Sequence, residues 1–229
     1  MRNGIGSLTT GETVAGWIWL PIYLFLLPLA VQLCDRAFSW GLTGFSANLI
    51  CFGVNFIAVL AIFSRYLLRT LPGRGLFRGL LAIALGAAVL YGGSWLTELA
   101  AQRLRLSLPQ YNNDAVVSMI GQDRTLMLIV CVVIAPVIEE TLLRGLVYGS
   151  AKRISGAFAF LLSVLIFVFM HVWGYFGLYP TPSVLLCALT YLPAAVGFCL
   201  TAAVSDTVWS SILLHAFVNA VSFGVIKFF

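Results

Sequence analysis

Charge is what this sequence has least of. Of 229 residues only 9% are Asp, Glu, Lys or Arg, while 61% are hydrophobic. A soluble domain carries about 25% charged and about 45–50% apolar residues. The shortage excludes a soluble enzyme, a disordered tail and a nucleic-acid module as readings of the whole chain. Acids are scarcer than bases, with 8 Asp and Glu against 13 Lys and Arg, and a basic excess in so apolar a chain belongs in loops that face anionic lipid. Cys34, Cys51, Cys131, Cys187 and Cys199 contain no C-x-x-C pair. An odd number of cysteines in apolar segments excludes a disulfide framework and marks them as small fillers. There is no internal repeat and no low-complexity tract. The sequence also lacks the G-x-S-x-G of serine hydrolases and a pair of intramembrane aspartates, which argues against both of those mechanisms, and it has no H-E-x-x-H zinc motif.

What the chain has instead is long apolar runs. A spanning helix needs roughly 20 mostly apolar residues, and seven segments qualify: 14–34, 43–63, 79–99, 125–148, 156–174, 183–203 and 207–226. The first run exceeds the roughly 7–15 residues of a signal-peptide core, so it reads as an uncleaved span. The last two should form a tight hairpin through Ser205 and Asp206. The connection from Ala100 to Arg124 has room for a short amphipathic or re-entrant piece. These features predict an all-α, polytopic transmembrane bundle of about seven spans, one integral membrane domain over residues 1–229, with a polar catalytic cavity between the late helices. Arg65, Arg69, Arg74 and Arg78 follow the second span, and Lys152 and Arg153 follow the fourth. Placing both loops inside puts the N-terminus, with Arg2, in the cytoplasm. Arg103, Arg105 and Arg124 then lie outside, partly countered by Asp114 and Asp123. Glu98, Asp35, Asp206 and Lys227 fall near helix ends, where charge is tolerated.

A few polar groups lie where they are expensive. Ile138-Glu139-Glu140-Thr141-Leu142-Leu143-Arg144 occupies the inner half of the fourth span, and Glu139 falls ~20 Å past its start at about 1.5 Å per residue. Each charge at such depth costs roughly 2.5–3.5 kcal/mol. Glu140 and Arg144 stand i,i+4 with the acid first, the favourable order for a helical ion pair. That pairing leaves Glu139 about 100° around the helix, unpaired and suited to general-base work. Both histidines of the chain lie in spans: His171 late in the fifth, His215 midway along the seventh. His215 and Asn219 share a helix face at i,i+4 and can aim donors at one spot. Pro136, three residues before Glu139, removes a backbone donor and frees a carbonyl one turn earlier.

A carboxylate, two imidazoles and an amide from three helices are the parts of a hydrolytic centre. Glu139 with His171 could orient and deprotonate water, while His215 with Asn219 could stabilise the oxyanion formed at a carbonyl. The same atoms leave a divalent metal such as zinc open, with Glu139, His171 and His215 as donors, although the set fits no standard zinc site closely. A proton- or ion-coupled transporter would also place polar residues inside a bundle. The missing internal symmetry weighs against that reading.

In these residues the sequence resembles the CAAX protease and bacteriocin-processing family. EETLLR matches its E-E-x-x-x-R motif, FVFMH its F-x-x-x-H motif and HAFVN its H-x-x-x-N motif, in the family order and within roughly residues 125–226. Leu143 stands where an aromatic residue is common before the arginine. The resemblance implies an intramembrane endopeptidase related to the type II CAAX prenyl endopeptidases. On that pattern Glu139 and His171 activate water, His215 and Asn219 form the oxyanion site, and Glu140 with Arg144 supplies structural support. It implies a membrane-associated, lipidated or prenylated, or leader-type peptide as partner, within a bacterial plasma membrane and without nucleic acid. A non-catalytic scaffold or immunity protein of the same family is the remaining alternative, against which the intact set of six residues argues.

Overall fold

Helix starts in this chain are set by side-chain caps at the ends of apolar runs. In the computed structural model, which describes residues 4–71 and 75–225, Thr9 accepts from the Glu12 backbone N–H while the Glu12 carboxylate takes the Thr9 N–H. This reciprocal cap opens the first long helix, α1 (Thr10–Phe38). Thr43 caps α2 (Gly44–Arg69) through the Ser46 N–H, and Asp123 caps α5 (Arg124–Ala151) through that of Leu126. Ser155 opens α6 (Gly156–Tyr175) and Thr207 opens α8 (Val208–Ser222) in the same way. Between them lie α3 (Leu76–Leu104), the short α4 (Tyr111–Ile120) and α7 (Thr181–Ser205). The chain is therefore a polytopic helical bundle, and α4 fills the connection where a short piece was expected. Arg2, Arg74 and Lys227 lie outside the described residues.

Six of these helices are long and apolar enough to cross a membrane, and α8 is shorter. At about 1.5 Å per residue its 15 residues reach ~22 Å, less than a hydrocarbon core of about 30 Å. The expected 207–226 span is cut short because Gly224 takes a positive φ of 70° just past the helix end. At its start α8 is pinned to α2: Thr207 Oγ1 donates to the Thr70 carbonyl (2.6 Å) and Trp209 Nε1 to that of Leu67 (2.9 Å). The α7–α8 hairpin turns on Asp206, which adopts the left-handed conformation at φ 56°.

Two packing features place the site. Helix α5 is the most internal span, with 61% of its apolar window buried against 11–44% for the other five. It bears the E-E-x-x-x-R residues, so the costly charges sit in the protein interior rather than in lipid. Helices α3 and α7 cross at small residues, where Thr201 Oγ1 donates to the Ala82 carbonyl at 3.2 Å. A Cβ on Gly86 would lie 2.7 Å from the Gly197 carbonyl and overlap Thr201. Close backbone approach of this kind is how helices associate where lipid removes the hydrophobic drive.

Candidate active site

The site begins with irregularity in α5. Residues Val130–Ile134 and Thr141–Tyr148 follow i→i−5 hydrogen bonding, on either side of the α-helical turn Ala135–Glu140. Such widened turns are frequent at functional sites. Ala135 N–H donates to the Val130 carbonyl, so the next residue, Pro136, would have served Cys131 had it possessed an N–H. The Cys131 carbonyl is instead taken by Asn219 Nδ2 at 2.7 Å. Proline thus frees a carbonyl beside the acids, and the asparagine of the last helix closes on it.

Glu139 and Glu140 straddle one imidazole. Arg144 Nη1 donates to Glu140 Oε1 at 3.0 Å, both side chains being wholly buried, and Arg144 Nη2 donates to the Ala195 carbonyl of α7 at 3.0 Å. The guanidinium also lies over the Phe167 ring, 4.7 Å from its centroid. Glu140 Oε1 lies 2.9 Å from His215 Nδ1, while His215 Nε2 points towards Glu139 Oε2 at 4.0 Å. Phe198 stacks on the His215 ring with centroids 4.5 Å apart. The chain Arg144–Glu140–His215 therefore fixes the imidazole on both its edge and its face. Glu139 is left as the acid with no cation of its own, and its Oε2 is buried without a hydrogen-bond partner. Nearby, Ser163 Oγ of α6 donates to the Leu143 carbonyl, tying α6 to the widened part of α5.

His171 arrives from α6, held by its own helix: its Nδ1 lies 2.8 Å from the Phe167 carbonyl. An Nδ1–H directed there leaves Nε2 as the free nitrogen. The ring stacks on Tyr191 of α7 at 4.6 Å. Glu139, His171, His215 and Asn219 all line one cavity of about 500 Å³. The close imidazole partner of Glu139 is His215; no ion pair joins Glu139 to His171.

Among the described residues no three His, Cys, Asp or Glu side chains form a group that could hold a metal ion. His215 Nδ1 is committed to Glu140, which withdraws that nitrogen from any ligand set.

The early helices carry no motif, yet they build part of the wall. Tyr23 of α1, Asn48 and Phe52 of α2 and Tyr91 of α3 line the same cavity, as do Asn112 and Asn113 of α4. Tyr23 lies in an i→i−5 stretch, Ile22–Leu26, bracketed by Pro21 and Pro28. An intramembrane tyrosine beside two prolines was the only trace of this in the sequence.

Residues 121–221 match the family described as type II CAAX prenyl endopeptidase Rce1-like. That stretch holds α5 to α7, all but the last residue of α8 and all six motif residues. Six long apolar helices make the chain an integral membrane protein, and the family it matches is one of peptidases. No curated protein and no solved structure matches the chain.

Proposed function

We propose that this protein hydrolyses an internal peptide bond of a membrane-associated, lipidated or leader-type peptide, with Glu139 as general base. The observation that carries this reading is the Glu139 carboxylate oxygen: buried, unpartnered and facing a cavity shared with both imidazoles and Asn219. A buried polar atom without a partner is costly to keep, and a group awaiting substrate and water is a reason to keep it.

In this mechanism a water in the cavity is oriented by Glu139 and by the free Nε2 of His171. Glu139 takes its proton as the oxygen attacks the scissile carbonyl carbon. The carbonyl oxygen gains the negative charge and accepts hydrogen bonds from His215 Nε2–H and from the second amide N–H of Asn219. Glu140, carrying the charge opposite Arg144, supports a protonated His215 in that role. As the tetrahedral intermediate collapses, the C–N bond breaks and Glu139 passes its proton to the leaving amine. The products are a new carboxylate and a new amine.

The test is cleavage of lipidated and leader-type peptides by the purified protein in detergent or nanodiscs. Full cleavage by the Glu139→Ala protein would remove Glu139 as the base. Chelation followed by elemental analysis tests the glutamate route directly. Activity that is lost on chelation and returns with zinc would replace it with a metal-dependent one.

A further inference from the structure

We propose that a second cavity, walled by α1, α2 and α6, is a subsite for a large uncharged side chain of the substrate, with tryptophan as its best occupant and Asn55 Oδ1 as the acceptor for the indole N–H. The inference rests on the peptidase reading above and adds a class of residue that the substrate carries near the scissile bond.

This cavity holds about 340 Å³ and adjoins the catalytic one, since Tyr23, Asn48, Phe52 and Met170 line both. A residue seated in the second cavity therefore has its backbone at the edge of the first. Local sequence makes the space. Pro21 and Pro28 bracket the i→i−5 stretch Ile22–Leu26 of α1, and Gly44 and Ala47 of α2 present little or no side chain to the cavity.

One polar atom marks the cavity as a site for a ligand. Asn55 of α2 is only 2% exposed. Its Nδ2 donates to the Cys51 carbonyl one turn earlier at 2.8 Å, while its Oδ1 is buried with no hydrogen-bond partner. Helix packing does not account for this amide, because its one hydrogen bond is spent within its own helix and ties α2 to no neighbour. A buried acceptor left unpaired carries a cost that a ligand's donor removes. Leu24, Val31, Phe52, Met170 and Trp173 supply apolar wall, and no lining residue is charged.

These surroundings exclude most side chains. A Lys, Arg, Asp or Glu would lose its hydration and meet no opposite charge. Leu, Ile or Phe, like a lipid chain, fills the space but leaves Asn55 Oδ1 unpaired. Tyrosine brings a hydroxyl that both donates and accepts, and at Asn55 only an acceptor is free. The indole of tryptophan has a single polar atom, which only donates, on a large apolar ring. Phe52 and Trp173 offer that ring edge and face contacts, of the kind Trp173 already makes with Phe25 at 5.0 Å.

The test uses ring-fluorinated N-acetyltryptophan amide as probe, with the full chain in nanodiscs and fluorine NMR as readout. Saturable broadening of the signal, displaced by N-acetyltryptophan amide, is expected. The benzothienylalanine analogue, in which sulfur replaces the indole N–H, should need about tenfold more to displace the probe, the scale of one buried hydrogen bond. Asn55→Leu should abolish that difference. No saturable binding, equal displacement by the two compounds, or a difference that survives Asn55→Leu would overturn the proposal. The comparison of compounds is made on the native chain, so it decides the matter even where Asn55→Leu does not fold. In peptides that the protein cleaves, tryptophan near the scissile bond should lower KM relative to benzothienylalanine, and an unchanged KM would overturn the assignment to substrate. Binding of the probe requires no hydrolysis. Normal cleavage by Glu139→Ala with binding intact defeats the peptidase reading, whereas loss of discrimination with cleavage intact defeats the subsite alone.

Discussion

Arg144→Met replaces a wholly buried guanidinium with an unbranched apolar chain and leaves the backbone geometry unchanged. The structure sets the size of the effect. Arg144 holds Glu140 at 3.0 Å and the Ala195 carbonyl at 3.0 Å, and sits over Phe167. Breaking a buried pair by removing one partner costs about 3–5 kcal/mol, because the surviving charge is left in a medium that cannot solvate it. The ring contact contributes up to about 2 kcal/mol more when desolvated, part of which the methionine recovers by packing. A net loss of about 3–5 kcal/mol is expected in reversible unfolding from detergent micelles, followed by tryptophan fluorescence. Glu140→Gln introduced together with Arg144→Met removes the stranded charge and should restore most of the stability. The amide that then replaces the Glu140 carboxylate retains an acceptor for His215 Nδ1 but loses the charge behind it. Peptide cleavage by the double variant should therefore stay about 10²-fold down, the scale of losing one oxyanion donor. The reasoning fails if the double variant unfolds as readily as Arg144→Met alone, since the cost would then not reside in an unpaired Glu140.

Three further substitutions probe separate parts of the site. Glu139→Gln should lower turnover by about 10²–10⁴ with little loss of stability, because its one charged neighbour, His215 Nε2, stands 4.0 Å away and its Oε2 makes no hydrogen bond; a large parallel drop in unfolding free energy would point to a structural role. Asn219→Ala orphans the Cys131 carbonyl and should cost about 1–3 kcal/mol. Adding Pro136→Ala, which supplies a backbone N–H, should recover stability but not cleavage, and denaturant curves beside a cleavage assay separate the two. Gly86→Ala drives a methyl into Thr201 and the Gly197 carbonyl where α3 crosses α7, so a loss of about 1–3 kcal/mol is expected from overpacking. A stability equal to the parent protein would mean that the crossing is looser than described.

The sequence alone determined the membrane class and the location of the costly charges, because both follow from one-dimensional quantities. An apolar run longer than a bilayer core is a span whatever surrounds it, and Glu139, Glu140 and Arg144 are expensive there in any arrangement. The i,i+4 spacing of Glu140 and Arg144 is likewise a local property of a helix, and the two do pair. Pro136 could be read as freeing a carbonyl, but not which one. In a regular α-helix that would be Val132; the i→i−5 turn moves it to Cys131, next to Asn219.

Tertiary structure decided everything that depends on rotation and register between helices. The spacing of the motifs does not say that His215, rather than His171, stands against Glu139, nor that Glu140 holds the other side of the same ring. Those contacts depend on how α8 is turned against α5, which hydropathy does not encode. Tyr23, Asn48 and Tyr91 reach the cavity only because α1 and α2 pack on α5 and α3 packs on α7 and α8, so no local pattern marks them. Composition fixes how few charges a membrane chain can hold, and only packing settles which of them face a reaction.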